Sequence, residues 1–181
     1  MKTLQKVYTY SSSDDYILSE DEQKVIVDWV RLNYLKLNEN GEKKYMKNMH
    51  EIHDIPEIVW EIKNRIVQKE NLFDAIEEPL FKDSIGYMME GGQLHKHIDP
   101  NRYGLYHTRF NVYVQIPKKG GYPIYADQVL RLKERTYICC RAGLDPHYCE
   151  IVEGDRERII LSYGYLLPKE RIKNIQYKYN T

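Results

Sequence analysis

The most chemically distinctive stretch of the chain is His95-Lys96-His97-Ile98-Asp99, which places two imidazoles and a carboxylate close together. Residues at positions i and i+2 of a β-strand point to the same face of the sheet, so His97 and Asp99 can direct an imidazole and a carboxylate at one point. Two histidines and one carboxylate that leave other metal positions open are typical of non-haem Fe(II) oxygenases. The pair therefore predicts two of the three ligands of such a site.

The third ligand has to come from another part of the chain, and His147 is the natural candidate. It lies on a predicted strand that begins at Pro146. His50 and His53 lie in the helical half of the chain, where a histidine is usually an ordinary polar residue. A His-x-Asp pair is a weak signal by itself, so the prediction also depends on the groups that accompany it along the chain.

Charge and composition narrow the classes of protein to consider. Lys plus Arg and Asp plus Glu are both 27 among 181 residues, which gives a formal net charge of zero. This balance gives no support to a general nucleic-acid or membrane-surface binder, which needs an excess of basic residues. We find no apolar run of about 18 residues, so no membrane span is expected, and the N-terminus lacks the apolar segment of a signal peptide.

The cysteines indicate a reducing compartment. Cys139, Cys140 and Cys149 are odd in number and include an adjacent pair, which argues against a disulfide framework. We therefore expect a cytoplasmic protein in which the three residues are small members of the core. A zinc site that uses His147 and Cys149 lacks the Cys-x-x-Cys spacing that would support it. The oligomeric state is left open by the sequence.

The first part of the chain, to about residue 82, is dominated by helical signals. Ser19 and Glu22 form a capping-box pattern that predicts a helix running to about Leu37. Pro56 suits the first turn of a second helix. The apolar stripe expected for that helix is formed by Val59, Ile62, Ile66 and Val67.

After about residue 83 the pattern changes to short strands. The predicted strands are residues 85–89, 110–116, 129–132, 136–140 and 158–163. Helices followed by many short antiparallel strands favour an α+β fold, a two-sheet jelly roll with the N-terminal helices packed on its outer sheet. We expect a single domain over residues 1–181, with the jelly-roll core at about 83–167. Opposed sheets would leave a cavity for a small cofactor.

Arg109 and Asn111 share one face of the strand that also carries Phe110 and Val112. Burying an arginine and an asparagine is costly unless their hydrogen bonds are satisfied. Their face is therefore either the lining of a polar cavity or the solvent face, and we favour the cavity. In that position Arg109 can contact the substrate or the surroundings of the metal.

Three segments, in this order, resemble the Fe(II)- and 2-oxoglutarate-dependent oxygenases related to prolyl 4-hydroxylases. Tyr87-Met88-Met89-Glu90-Gly91-Gly92-Gln93-Leu94-His95-Lys96-His97-Ile98-Asp99 resembles the Y…GQ…HxD segment of that family. Residues 109–112 with Gly120-Gly121 resemble the strand and Gly-Gly turn that follow it, and residues 147–163 resemble its distal H…R segment. The resemblance covers about residues 83–167 and implies a double-stranded β-helix.

The resemblance also implies an enzyme that uses Fe(II), 2-oxoglutarate and O₂ to hydroxylate an unactivated C–H bond. The iron would be held by His97, Asp99 and His147. A bidentate arginine is expected to hold the distal carboxylate of 2-oxoglutarate, since the planar guanidinium matches a carboxylate. Arg158 is favoured because it leads the final strand. Arg156 is the alternative, and its other interpretation is a surface ion pair.

Two further contacts with 2-oxoglutarate are expected. Ser162 follows Arg158 on the same predicted strand, and its hydroxyl can face the cavity. In the resembling family the tyrosine upstream of HxD hydrogen-bonds 2-oxoglutarate, which indicates Tyr87; an ordinary core tyrosine is the other interpretation. The spacing from Tyr87 to His97 is longer than the usual pattern, and a bulge at Gly91-Gly92 can absorb the difference.

The substrate is less well defined than the cofactor. After Gly120-Gly121 the hydroxylases usually carry Glu-Thr, whereas this chain has Tyr122-Pro123, so a prolyl substrate does not follow. A residue in a protein or peptide is the first candidate and a free amino acid or small metabolite the second; nucleic acid is not expected. Two other classes stay open. His95-Lys96-His97 also resembles the HxH of cupins, which would indicate a metal-binding isomerase, and a non-catalytic jelly-roll binding module is the last alternative.

Overall fold

The computed structural model describes residues 3–4, 7–8, 16–37 and 43–177. The helices are α1 (Glu20–Leu37), α2 (Ile58–Glu70) and α3 (Lys169–Ile172), and a short 3-10 helix spans Met49–Glu51. The strands are β1 (Val7–Tyr8), β2 (Lys44–Asn48), β3 (Ile76–Glu77), β4 (Asp83–Met88), β5 (Leu94–His97), β6 (Tyr106–Gln115), β7 (Lys119–Gly120), β8 (Pro123–Tyr125), β9 (Gln128–Val129), β10 (Tyr137–Cys140), β11 (His147–Cys149), β12 (Val152–Glu153), β13 (Arg158–Leu167) and β14 (Gln176–Tyr177).

Helix α1 begins where the capping-box pattern predicted. The Ser19 N–H donates to Glu22 Oε2 at 2.7 Å, and the Glu22 N–H donates to Ser19 Oγ at 3.2 Å. These bonds satisfy two donors that a helix N-terminus leaves without an intrahelical partner. Arg65 of α2 donates to Glu22 at 2.7 Å and so joins the two helices. Within the described ranges, no helix combines the length and the apolar character that crossing a membrane requires.

The larger sheet has six strands and carries the helices on one face. Its order is β10-β6-β13-β4-β2, with β3 paired to β13, and all its pairs are antiparallel. Every residue of β13 is buried, as expected for a central strand covered on both faces. The Tyr163 hydroxyl donates to the Val59 carbonyl of α2 at 2.6 Å, which places α2 against the outer face of this sheet.

The smaller sheet faces the inner side of the larger one. Its order is β5-β11-β8-β9. Two contacts cross the gap between the sheets: Cys149 Sγ lies 3.6 Å from Met88 Sδ, and Asn111 Nδ2 donates to Tyr125 Oη at 2.8 Å. Mostly antiparallel sheets with few helices agree with the expected jelly-roll-like class. The gap between the sheets is where alternating side chains of β6 and β13 converge.

The strand predictions failed in two places. Strands β2 and β3 extend the larger sheet from the part of the chain that was interpreted as helical. Strand β2 was not predicted from Lys44-Tyr45-Met46-Lys47-Asn48, because an edge strand that contains lysines lacks a clear apolar alternation. The strand predicted at residues 129–132 ends at Val129. Beyond it Leu130 turns into the core, where it is fully buried.

Candidate metal and co-substrate site

The three predicted metal ligands meet at one end of the smaller sheet. His97 ends β5, Asp99 lies two residues beyond it, and His147 begins β11, where it is the cross-strand partner of His97. The two imidazole centroids are 4.2 Å apart, and His97 Nε2 lies 3.5 Å from Asp99 Oδ1. One ligand atom from each residue lies within 4.8 Å of the other two. The structure therefore brings the donor atoms of all three residues close enough to share one metal ion.

The backbone orients both imidazoles for metal binding. His97 Nδ1 lies 2.7 Å from the His95 carbonyl oxygen, and His147 Nδ1 lies 3.2 Å from the Asp145 carbonyl oxygen. A carbonyl only accepts hydrogen bonds, so each Nδ1 has to carry the proton and each Nε2 is left with its lone pair. That tautomer suits a metal ligand, because the hydrogen bond at the far nitrogen holds the ring in place.

The second oxygen of Asp99 faces two groups on β6. Asp99 Oδ2 lies 3.5 Å from His107 Nδ1 and 3.6 Å from Arg109 Nε. Since Oδ1 faces His97, the carboxylate can place one oxygen toward a metal while the other contacts His107 and Arg109. Groups of this kind fix the orientation of a ligating carboxylate. His107 was not among the residues that the sequence interpretation singled out.

Burial favours the neutral form of two histidines at the site, His107 and His147. Burial lowers the pKa of His147, and the neighbouring His97 lowers it further. Burial likewise lowers the pKa of His107 from 6.5 to about 4, with Arg109 as the next contribution. Both side chains are therefore neutral at physiological pH. Metal binding requires a neutral imidazole, so His147 needs no proton release in order to bind.

In the metal-free protein, His107→Gln is expected to reduce the loss of unfolding free energy that occurs when the pH is lowered. The pKa of His107 falls from 6.5 to about 4 on folding, so between these values the unfolded chain binds a proton that the folded protein does not. Through this group the wild type should lose about 2 kcal/mol of unfolding free energy between about pH 7.5 and about pH 5, whereas glutamine does not titrate. Urea unfolding at both pH values measures this, and equal losses in the two proteins would contradict it.

The two arginines proposed as carboxylate partners lie in different environments. Arg158, the first residue of β13, is buried between the sheets, with Nη1 3.9 Å from the Met88 sulfur. Its Nε has no hydrogen-bond partner, and no carboxylate among the described residues pairs with it. Arg156 instead binds Glu134 at 2.5 Å and donates to the Ile116 carbonyl. Arg158 is therefore the guanidinium that lacks a carboxylate partner, while Arg156 already has its partners.

Tyr113 extends the polar surface beside Arg158. The Arg158 Cζ lies 5.6 Å from the centroid of the Tyr113 ring, and the Tyr113 hydroxyl lies 3.2 Å from that of Tyr125. Burial raises the pKa of Tyr113 to about 12, although Arg158 acts in the opposite direction. Burial also raises the pKa of Tyr125 well above its ordinary value. Both hydroxyls therefore keep their protons and act as hydrogen-bond donors.

Tyr87 is not brought to this site. On β4 it is the cross-strand partner of Ile159, whereas Met88 is the partner of Arg158. Partners across an antiparallel pair share a face, so Met88 points between the sheets and Tyr87 points to the outer face with the helices. The alternative interpretation, a core tyrosine, fits this placement because Tyr87 is buried within the main core cluster. The proposed contact with 2-oxoglutarate is corrected accordingly.

The space between the sheets also receives the side chains of Arg109, Asn111 and Ser162. For Arg109 and Asn111 this agrees with the expectation that their face lines a polar cavity and not the solvent side. Asn111 and Ser162 are cross-strand partners on β6 and β13. Arg109 Nη1 donates to Ser162 Oγ at 3.2 Å, and Ser162 Oγ donates to Asn111 Oδ1 at 2.5 Å. These bonds offset the cost of burying the three polar side chains. Their contact with a substrate or co-substrate stays a prediction.

A signal for the residues that were missed was present in the sequence. Polar side chains that share one face of β6 occur at every second position: His107, Arg109, Asn111 and Tyr113. The alternation that marks Arg109 and Asn111 continues by two residues in each direction, to His107 and to Tyr113. No comparable signal marks Tyr125, because β8 is only three residues long.

Comparison with known proteins defines the fold. No protein-family model and no curated protein sequence matches the chain. The viral collagen prolyl hydroxylase of Paramecium bursaria Chlorella virus-1, solved as a 2-oxoglutarate complex, superposes with a TM-score of 0.65 at 15% identity, covering 87% of this chain and 96% of that one. A Pseudomonas putida prolyl 4-hydroxylase superposes with a TM-score of 0.59 at 15% identity, covering 84% and 89%.

A third similar structure contains both a metal ion and 2-oxoglutarate. HygX from Streptomyces hygroscopicus, solved with nickel and 2-oxoglutarate bound, superposes with a TM-score of 0.53 at 10% identity and covers 84% of this chain and 80% of that one. At these identities the likeness establishes the fold alone. The chain has the fold of the prolyl 4-hydroxylase-like 2-oxoglutarate oxygenases, and the His-Asp-His group lies between its two main sheets.

Proposed function

We propose that the protein is a non-haem Fe(II)- and 2-oxoglutarate-dependent oxygenase, whose facing sheets form a double-stranded β-helix. The observation that carries this proposal is that a His-Asp-His group and a buried arginine lie between the same two sheets. A buried guanidinium without a carboxylate partner is costly, so a carboxylate ligand is its natural complement. Three ligands on one side of a metal leave positions for such a ligand and for O₂.

The chain's own residues would bind and orient the reactants. His97, Asp99 and His147 would hold the iron, and Arg158 with the Tyr113 hydroxyl would hold the distal carboxylate of 2-oxoglutarate. When bound, iron and 2-oxoglutarate supply O₂ activation: 2-oxoglutarate, O₂ and a C–H bond become succinate, CO₂ and a C–OH bond. Arg109 and His107 would keep the Asp99 carboxylate oriented, and Ser162 with Asn111 would hold Arg109.

Coupled product formation tests the activity. Purified protein with Fe(II), 2-oxoglutarate and O₂ should form succinate, and chelation of the iron should stop it. Metal that binds without any 2-oxoglutarate turnover would favour the cupin-type isomerase, and absence of metal binding would favour a non-catalytic binding module.

Exposed apolar side chains near Asp99 support a peptide or protein substrate. Leu80 and Phe81 are 54% and 61% exposed, and Tyr103 is 78% exposed. The Phe81 carbonyl accepts from Arg109 Nη2 at 2.8 Å, and Arg109 in turn contacts Asp99. These three apolar side chains, which we call the apolar rim, therefore belong to segments adjoining the metal site. Exposed groups of large apolar residues commonly mark binding surfaces for other chains.

The backbone that carries the apolar rim is held in place. The buried Glu78 carboxylate accepts from the N–H groups of Leu80 and Phe81, and its other oxygen lies 3.5 Å from Arg102 Nε. Tyr103 and Gly104 both have positive φ, and Arg102 and Leu105 exchange backbone hydrogen bonds around them. This tight turn presents the Tyr103 side chain outward. A preformed apolar surface loses little entropy when an extended peptide binds.

Replacement of Leu80 and Phe81 by serine is expected to affect a peptide substrate selectively. A pool of unstructured peptides should stimulate succinate formation, whereas free amino acids should not. Mass spectrometry of the responding peptide should show the addition of one oxygen atom. The double variant should raise the KM for the responding peptide at least about tenfold, since tenfold corresponds to about 1.4 kcal/mol and each fully buried apolar side chain contributes about 1.5–3 kcal/mol. The KM for 2-oxoglutarate should not change. Stimulation by free amino acids alone would favour a small-molecule substrate.

A further inference from the structure

A continuous chain of hydrogen bonds runs through the gap between the sheets. It starts at Arg109, which contacts the proposed iron ligand Asp99, and passes through Ser162 Oγ at 3.2 Å to Asn111 Oδ1 at 2.5 Å. From Asn111 Nδ2 it continues to Tyr125 Oη at 2.8 Å and then to Tyr113 Oη at 3.2 Å. Its far end lies beside Arg158.

The donors and acceptors give this chain a direction. A guanidinium only donates, so Ser162 Oγ accepts from Arg109 and directs its own hydrogen to Asn111 Oδ1. The Asn111 amide must then donate to Tyr125 through Nδ2. If that amide were turned over, Ser162 Oγ would face two donors, and its own hydrogen would have no acceptor within residues 3–4, 7–8, 16–37 and 43–177. An unsatisfied buried hydroxyl is costly, so the direction is fixed.

The same reasoning continues through Tyr125. Tyr125 Oη accepts from Asn111, so its own hydrogen is available for Tyr113 Oη. The Cys140 sulfur also lies near Tyr125, but a thiol sulfur is a much weaker acceptor than a hydroxyl oxygen. Tyr113 Oη thus accepts from Tyr125, and its own hydrogen has no acceptor in the described part of the chain. A free O–H donor therefore lies beside the Arg158 guanidinium.

We propose that Tyr125 is a positioning residue that sets the direction of this chain and makes the Tyr113 hydroxyl a donor to the carboxylate bound at Arg158. Without the Tyr125 hydroxyl, the Tyr113 oxygen loses the donor that satisfies and polarises it, so the Tyr113 hydroxyl is less firmly oriented and a weaker donor to an anion. Tyr125 also lies over the His147 ring, with centroids 6.0 Å apart and planes 21° from parallel, and it is the cross-strand partner of His147. The inference rests on the proposed function, because it presumes that a 2-oxo acid binds at Arg158.

Tyr125→Phe tests the proposal because it keeps the ring and its stacking on His147. Calorimetry on Zn(II)-loaded protein would measure the Kd of 2-oxoglutarate and of 2-oxopentanoate, which has the same chain length but no distal carboxylate. Tyr125→Phe should weaken 2-oxoglutarate binding about tenfold, or about 1.4 kcal/mol, and change 2-oxopentanoate binding less than about twofold. Tyr113→Phe should give the same pattern, and the double variant should be no weaker than either single variant.

Two further variants separate this role from a structural one. Tyr163→Phe also removes a buried tyrosine hydroxyl bond, but on the helix-covered face, so it should leave the preference for the dicarboxylate unchanged. If Tyr125→Phe does not fold, Ser162→Ala breaks the same chain two steps earlier and should lower the same preference. Equal losses for both 2-oxo acids, or no loss for either, would overturn the proposal for Tyr125. Failure of wild-type protein to prefer 2-oxoglutarate would instead count against the proposed function.

Discussion

His97→Ala is expected to reduce Fe(II)-dependent formation of succinate from 2-oxoglutarate to less than about 1% of the wild-type rate. The substitution leaves two ligands on an ion that needs three, and removing even a group that only supports a ligand costs about 10- to 100-fold in metal affinity. Titration with Fe(II) or Zn(II) should show an affinity at least about 100-fold weaker. Unchanged turnover would exclude the proposed metal site.

His95→Ala is the matched control for this experiment. His95 lies on the same strand, two residues before His97, and its side chain is exposed. It contributes its backbone carbonyl to the orientation of His97 Nδ1, and alanine keeps that carbonyl. Metal affinity and succinate formation should therefore stay within about twofold of the wild type, as for most exposed positions. Loss of activity in both variants would indicate a general disturbance of β5.

Arg158→Met is expected to raise the Kd for 2-oxoglutarate at least about 100-fold while leaving the affinity for Zn(II) unchanged. Two charge-assisted hydrogen bonds to the distal carboxylate contribute about 1.5–3 kcal/mol each, and methionine offers neither. Methionine fills a similar volume, so the pocket should not collapse. Because Arg158 is a buried cation without a carboxylate partner among the described residues, the ligand-free variant should be at least as stable as the wild type.

Arg156→Met provides the comparison that decides between the two arginines. Arg156 pairs with Glu134 and the Ile116 carbonyl at the edge of the protein. Its loss should lower the unfolding free energy by less than about 1 kcal/mol, as for other partly exposed ion pairs, and change the Kd for 2-oxoglutarate less than about twofold. Calorimetry with 2-oxoglutarate and thermal unfolding of both variants measure the two effects. The reverse pattern, with weak binding only in Arg156→Met, would reassign the carboxylate anchor.

The ligand pair His97 and Asp99 could be predicted because its geometry is local. The two residues are only two positions apart, although β5 ends at His97 and the Asp99 N–H donates to the Ala142 carbonyl. The two helices were also predictable, since a capping box and an apolar stripe act within a few residues of each other. The location of His147 followed only from the order of motifs along the chain, and the pairing of β11 with β5 is what brings its ring to His97.

Tyr87 shows where reasoning from the sequence failed. The apolar alternation of Ile85 and Tyr87 was read correctly as a strand, but in this fold the apolar face is the one covered by helices, and the inner face is partly polar. A shift of one residue moves a side chain to the opposite face, so strand periodicity alone cannot say which set faces a ligand. The cross-strand pairing of Met88 with Arg158 decided it.

The sequence by itself determined the elements with local causes: the capped helix, the central strands and the His97–Asp99 pair. Only the tertiary structure decided which arginine lacks a carboxylate partner and which tyrosines point between the sheets. These outcomes depend on strand register and on partners far along the chain, such as Glu134 for Arg156 and Asn111 for Tyr125. Register is set by the burial of whole sheet faces, so the roles of individual inward-facing residues emerge only when both sheets are in place.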